Sequence, residues 1–217
     1  MEEYMMKQFK TTSLADQVFE KLENDIIQGH YPKGEILTEL KLVEQLGVSR
    51  TPIREALRRL EQEHLIEDTG KGSRVIGISE DDVRDIMEIR EKIEGLASYY
   101  ATINMTPEGM EEMKHTIDMM DFFFTKWDPD HLRQADDDFH ALICRLSGRS
   151  VIKDTLVPLH RKTRRYRRVA MENKDRAACT LKEHHEIFEA IKAGNAELAK
   201  ELSATHIVNA KVHMFGA

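Results

Sequence analysis

Four side chains of this 217-residue chain have the types and spacing to hold one metal ion. Asp136 and His140 are four residues apart, so on a helix they share a face, separated by one turn of about 6 Å. His184 is in helical register with Leu181, Phe188 and Ile191, and His206 with Leu198 and Leu202. Both therefore point into an apolar interior. Leu132, Phe139 and Ile143 bracket the first pair in the same way. Burying a carboxylate and three imidazoles without partners would be costly, on the order of several kcal/mol for the charged group. A divalent cation removes that cost, and this donor set suits zinc, nickel, cobalt, iron(II) or manganese. Any one of the histidines alone is more simply read as a hydrogen-bonded core residue; the set is what points to a metal. Asp137 and Asp138 are alternatives to Asp136, although Asp138, two residues from His140, faces elsewhere on a helix. His185 is the alternative to His184.

A second constellation lies near the N-terminus. At 100° per residue Ile53, Ala56, Leu57 and Leu60 fall on one face of a helix, while Arg50, Arg54 and Arg58, with Thr51 beside them, fall on another. The plain reading is a solvated face interleaved with Glu55 and Glu61. The sharper one is a nucleic-acid contact: a helix N-terminus offers unpaired N–H groups and partial positive charge, and the major groove admits a helix whose arginines pair with guanine edges. Lys71 and Arg74, in the hairpin that follows, would reach a neighbouring backbone or minor groove.

The elements that must position these residues divide in two. Residues 14–76 read as a helix at Leu14–Gln28, a turn carrying Gly29, Pro32 and Gly34, a short helix at Glu39–Gln45, Gly47, a helix from Ser49, and a hairpin. That order is a winged helix-turn-helix. Ser49 is positioned to cap its helix and Pro52 falls in the first turn, where a missing N–H is harmless. The clearest strand signal is the VIGI run at Val75–Ile78. Beyond it the pattern predicts six helices, over 80–103, 107–125, 129–147, 150–172, 176–193 and 196–214. Thr106-Pro107 and Asp128-Pro129 mark two starts and Pro158 a kink in the fourth. The predicted fold is mainly α: a winged helix-turn-helix DNA-binding domain at 9–78, then an all-α antiparallel six-helix bundle at 79–217, joined by a hinge at 77–80.

Composition limits the alternatives. Hydrophobic residues at 41% and charged residues at 33% indicate a folded chain with a core. No apolar run reaches the roughly 18–20 residues of a membrane helix and the first residues lack a signal-peptide core, so a cytoplasmic protein is expected. Cys144 and Cys179 have no paired spacing and read as reduced thiols. The net charge of −7 does not advertise nucleic-acid binding, and residues 1–78 carry 11 Lys and Arg against 14 Asp and Glu. Affinity for DNA must come from a local stripe of cations. The run RKTRRYRR at 161–168 reads as mostly solvated, with one or two of its cations lining a cavity.

The run LGVSRTPIREALRRLEQEHLI, with GKGSRV downstream, closely resembles the DNA-binding domain of GntR-type bacterial transcription regulators. The helical remainder resembles their FadR-like branch with an FCD ligand-binding domain, so the likeness spans nearly the whole chain. It implies that Ser49, Arg50, Thr51 and Arg54 face the groove or touch phosphate and that Gly72 is the wing tip. The DxxFH pattern of Asp136 and His140, the histidine of the EH pair at His184, and His206 fall where metal-binding FCD members carry ligands. Arg90 matches a position that often faces the same cavity, where a guanidinium pairs a carboxylate bidentately; the plain alternative is an Arg90–Glu94 surface pair. Two departures stand out: Leu40 replaces a common arginine, leaving that phosphate contact absent or supplied by Lys41, and His64 replaces the usual glycine after the recognition helix.

These readings converge on a homodimeric regulator that binds a palindromic double-stranded operator and senses a small carboxylate or hydroxy acid at a metal-containing bundle, with zinc or nickel ahead of manganese, iron and cobalt. The sequence leaves repression and activation open. One alternative is a metal-responsive regulator. Another is a helical metalloenzyme, which would need a placed general base; no HExxH-like signature supplies one.

Overall fold

The computed structural model describes residues 13–216, without the side chains of Arg168 and Val169. Residues 9–12 and Ala217, which the predicted domains include, lie outside the described residues. The chain falls into two compact units divided after Ser79.

The first unit contains α1 (Leu14–Gln28), β1 (Ile36–Leu37), α2 (Glu39–Leu46), α3 (Arg50–Gln62), β2 (Ile66–Asp68) and β3 (Ser73–Val75). Ser13 and Asp16 form a reciprocal capping box at the start of α1, and Gly29 ends it in the left-handed region at φ 81°. Thr38 caps α2, and Gly47, at φ 66°, turns the chain towards α3. The three strands form an antiparallel sheet in the order β1-β3-β2, with Ile36 opposite Arg74 and Ile66 opposite Val75. Leu22, Leu37, Leu42, Ile53, Leu60 and Leu65 are almost wholly buried between helices and sheet.

Three local expectations change. The strand is Ser73–Val75 rather than Val75–Ile78, because Ile76 and Gly77 both donate to the Leu65 carbonyl and carry the chain off the sheet edge. The two-residue β1 is too short to leave a periodic signal. Ser49 occupies the N-cap of α3 but its side chain makes no capping bond.

The second unit is all helical: α4 (Glu80–Ile103), α5 (Pro107–Lys126), α6 (Pro129–Leu146), α7 (Ser150–Lys162), α8 (Arg164–Glu172), α9 (Lys174–Lys192) and α10 (Ala196–Phe215). The helix predicted over 150–172 is therefore two, and the break falls at Thr163 rather than at Pro158, which α7 absorbs. Thr163 is fully buried, its hydroxyl bonds back to the Leu159 and His160 carbonyls, and it accepts from Arg90, so a tertiary contact fixes the break. The last helix packs along the first. Gly95 makes this possible, since a Cβ there would lie 2.7 Å from the Lys200 carbonyl oxygen, and the Ser98 and Ser203 hydroxyls meet at 2.6 Å. Phe139, Met113, Met120, Leu132 and Leu156 fill the centre. No described helix is long and apolar enough to cross a membrane.

Candidate nucleic-acid interface and metal centre

Helix α3 divides its faces as its periodicity requires. Pro52, Ile53, Ala56, Leu57 and Leu60 are buried, whereas Ser49, Arg50, Thr51, Arg54 and Arg58 are exposed. Arg54 donates from Nε to Glu39 Oε1 at 2.6 Å. That bond steers the guanidinium from the side and leaves its two terminal nitrogens outside it. Glu39 had no signal at helical spacing, being 15 positions earlier on α2. The Arg54 charge holds the Glu39 carboxyl below its ordinary range, the hydrogen bond being the main cause.

Lys71 is exposed at the tip of the β2–β3 hairpin next to Gly70. Gly72 is beside the tip rather than at it. Its φ of 140° is in the region that favours glycine, and a Cβ would meet the Leu37 carbonyl oxygen at 2.8 Å, so this residue lets β1 approach the hairpin. Arg74 does not extend from the hairpin alone: its Nε donates across the strand pair to Glu67 at 2.6 Å. Leu40 is 58% exposed, and Lys41, the alternative cation for that contact, is engaged with Glu35 at 2.6 Å. A cleft of about 360 Å³ between α3 and the hairpin is lined by Arg54, Arg58 and Gly72. His64 takes φ 57°, so the residue standing in place of glycine adopts the glycine-like conformation.

In the helical unit the four predicted residues come together. His140 and Asp136 on α6, His184 on α9 and His206 on α10 are all at least nine-tenths buried. One nitrogen from each of the three imidazoles lies within 4.8 Å of the others. His184 Nε2 and His206 Nε2 are 3.4 Å apart, close to the ~3.3 Å edge of a tetrahedron with metal–nitrogen bonds of about 2.05 Å. Asp136 Oδ1 stands 3.8 Å from His184 Nε2 and 4.0 Å from His140 Nε2.

Two carboxylates that sequence reasoning missed orient these rings. His206 Nδ1 lies 2.6 Å from Glu183 Oε2, and His140 Nδ1 lies 3.1 Å from Glu94 Oε2. Each carboxylate accepts the Nδ1 proton, which leaves Nε2 as the bare lone pair turned towards the centre, the arrangement by which carboxylates hold metal-binding imidazoles. His140 Nε2 and Asp136 Oδ2 are buried with no hydrogen-bond partner among the described residues. Burial pushes His140 down to about 3 and His184 well below the usual imidazole range, so both rings are neutral donors. Burial also pushes Asp136 up to about 6, against the pull of Arg167. Unsatisfied polar atoms in a buried cluster of imidazoles and a carboxylate fit a bound cation.

Glu94 does more than hold one ring. Arg90 Nε donates to its Oε1 at 2.6 Å and His160 Nε2 lies 2.9 Å from the same oxygen. Burial would raise the Glu94 carboxyl, yet Arg90, His160 and His140 together hold it well below its usual range. Glu94, His140 and His160 also form a metal-sized cluster, but the Arg90 guanidinium occupies the same carboxylate and disfavours a second cation. Arg90 is 2% exposed, so its pair with Glu94 is a core contact and not the surface pair that local spacing allowed. Arg90, Asp136 and His206 reach the wall of one cavity of about 420 Å³, which also receives Arg165, Arg167 and Arg176.

Each of the two units matches a known family. Residues 14–75 match the model of the bacterial regulatory proteins of the gntR family and residues 85–209 match the FCD domain. The chain is 28% identical to the HTH-type transcriptional regulator YdhC of Bacillus subtilis over 91% of this chain and 89% of that protein. It is 29% identical to a probable D-xylose utilization operon transcriptional repressor of Paenarthrobacter nicotinovorans over 93% and 88%. The fold is similar to that of Escherichia coli McbR/YncC, with a TM-score of 0.79 at 22% identity over 94% of this chain and 98% of that one. The Bacillus subtilis and Paenarthrobacter nicotinovorans relatives are both described as transcription regulators.

Proposed function

The chain belongs to the GntR family of bacterial regulatory proteins, with an FCD domain after its DNA-binding domain, and on that premise we propose that a small organic acid, bound beside a metal ion in the helical unit, sets its affinity for operator DNA. The protein acts in the cytoplasm as a homodimer, because one α3 reads a half-site and a second copy supplies the other half of a palindrome. Ser49, Arg50, Thr51 and Arg54 enter the major groove, Arg58 and Lys71 neutralise phosphates, and Gly72 fixes the hairpin that carries Lys71.

In this reading His140, His184, His206 and Asp136 hold a divalent cation, zinc or nickel ahead of manganese, iron and cobalt, since imidazoles dominate the donor set. Such an ion, when bound, supplies positive charge and an open position to a carboxylate or hydroxyl oxygen. Arg90, which lines the same cavity, orients the acid, with Glu94 fixing its own angle. The observation that carries this reading is the meeting of three buried imidazole nitrogens, two of them oriented by carboxylates, beside a cavity whose wall includes His206, Asp136 and Arg90. A relative named for a gluconate operon favours an effector of the hydroxy-acid type, and it and the D-xylose utilization relative are both described as repressors, which favours the same sign here.

Anisotropy titration of a labelled fragment from the upstream region of the chain's own gene tests the proposal. Arg54→Ala weakens specific binding by about 1–3 kcal/mol, roughly 5- to 150-fold, and unchanged affinity would overturn the assigned face. Stripping divalent metal with a chelator abolishes the response to added gluconate or lactate while DNA binding persists. A full response after metal removal, verified by elemental analysis, would overturn the metal-centred site.

A further inference from the structure

The middle arginine of the α3 face is held by a carboxylate, and its neighbours are not. Arg54 donates to Glu39 through Nε, whereas Arg50 and Arg58, one turn to either side, have no carboxylate partner among the described residues. Both ends of this bond rise from anchored backbone. Leu37 is fully buried and Thr38 caps α2 by accepting from the Lys41 amide, which fixes the start of the helix that carries Glu39. Ile53 and Ala56, on the other face of α3, are wholly buried and fix Arg54 in the same way. Glu39 is in the first turn of α2, where the helix dipole favours negative charge. The hydrogen bond from Arg54 and the charges of Arg54 and Arg50 hold its carboxyl below the ordinary range, so it stays ionised.

A guanidinium has five N–H donors, and this bond takes one of them. With Nε occupied, the terminal nitrogens present the end of the fork, which suits a bidentate contact to guanine O6 and N7. A backbone phosphate at that end would face the Glu39 carboxylate across the width of one guanidinium, and two anions so placed repel. To avoid the repulsion the phosphate must displace Glu39 and break the existing bond. The pair is open enough for such an exchange, since Arg54 is 65% and Glu39 33% exposed. A guanine edge is uncharged and accepts from the terminal nitrogens while the bond stays in place.

We propose that Glu39 is a specificity-determining residue that acts through Arg54: it aims the guanidinium at a guanine edge and disfavours phosphate in the same place. The acid thereby strengthens operator binding relative to DNA of arbitrary sequence, although it is an anion beside an anionic ligand. The inference rests on the DNA-binding face assigned above and adds to it a positioning residue on the preceding helix. A solvated ion pair with no such role has a different consequence. Removing an exposed acid beside DNA would then tighten binding to every sequence alike, because the phosphate attraction carries no sequence information.

The test uses the full-length protein, first to enrich its preferred duplex from a random library. Anisotropy titrations at one fixed salt concentration then compare that duplex with a shuffled one of the same length and composition, and the ratio of the two affinities is the readout. Glu39→Ala lowers the ratio at least about fivefold, the lower end of what one bidentate base contact is worth, while binding to the shuffled duplex is unchanged or tighter. In an Arg54→Ala background the same change lowers the ratio no further, as expected of two residues acting as one unit. Affinities for both duplexes that move together, leaving the ratio unchanged, would overturn the proposal and keep the DNA-binding face. So would a further drop in the Arg54→Ala background, which would mean that Glu39 meets a base itself. If Arg54→Ala leaves the ratio intact, or the library yields no preferred duplex, the assigned face fails and the role of Glu39 fails with it.

Discussion

The two units of this chain place their charges in opposite ways. In the first, the ion pairs at the candidate interface and beside it lie at the surface: Arg54 with Glu39, Arg59 with Asp16 and Lys41 with Glu35 each have one partner more than two-fifths exposed, while Asp25, paired with Lys21, is the buried exception. Such pairs contribute roughly 0–1 kcal/mol and exchange readily for another anion. In the second, Arg90 and Glu94 are 3% and 7% exposed, and the same carboxylate serves His140 and His160. Buried pairs of this kind add little net stability, but removing one member strands the rest. A surface that must trade its partners for phosphate is built from single exposed pairs, and a site that must keep its shape is built from shared buried ones.

Removing the hub of the buried network gives the largest contrast. Glu94→Ala leaves a guanidinium and two imidazoles without their common acceptor and lowers stability by about 3–5 kcal/mol, or about 10 °C in Tm for a chain of this size. Glu39→Ala, which frees an exposed arginine, shifts stability by no more than about 1 kcal/mol. Thermal unfolding of the two variants side by side measures the difference. Equal losses would mean that exposure does not sort these charges as argued.

What could be read in advance follows the same division. The arginine face of α3 was legible because helical spacing alone decides it, and Arg50, Arg54 and Arg58 emerge exposed while Ile53 and Leu60 are buried. The meeting of His140, His184 and His206 was legible because each histidine sits on an apolar stripe, a local pattern that survives folding. Glu94 and Glu183 were not, since their roles arise across helices: Glu94 meets His160 from 66 positions away, and Glu183 meets His206 from 23. The break at Thr163 was hidden for the same reason, because a contact from Arg90, 73 positions earlier, fixes it while the local sequence advertises Pro158. Long-range partners leave no period to detect.

Backbone demands cut across the comparison, and Gly72 shows that the first unit, lenient about charge, is strict about space. Gly72→Ala would place a Cβ 2.8 Å from a carbonyl oxygen and 2.9 Å from Ile36 Cγ2 at a φ of 140°. The expected loss is about 1–3 kcal/mol, from backbone strain and from pushing β1 off the hairpin. Hydrogen exchange of the β1 and β3 amides checks the cause: protection falls there and not in α1. A loss shared uniformly by all three helices would assign the effect to general instability instead of to this contact.

The smallest effect is expected at His64, a residue with a side chain in the left-handed conformation that glycine usually takes. The residue is exposed and holds φ 57° at the end of α3. The left-handed region costs a side chain with a Cβ about 1–2 kcal/mol, and glycine gives back about 0.5–1 kcal/mol through the greater freedom of its unfolded chain. His64→Gly therefore stabilises the first unit by about 0.5–1 kcal/mol, seen as a higher denaturant midpoint at unchanged slope. His64→Ala, which retains the Cβ, gives no such gain. If glycine instead lowers the midpoint, the imidazole contributes more than the strain costs, and an exposed side chain in the lenient unit would be held in its place as firmly as Glu94 is in the strict one.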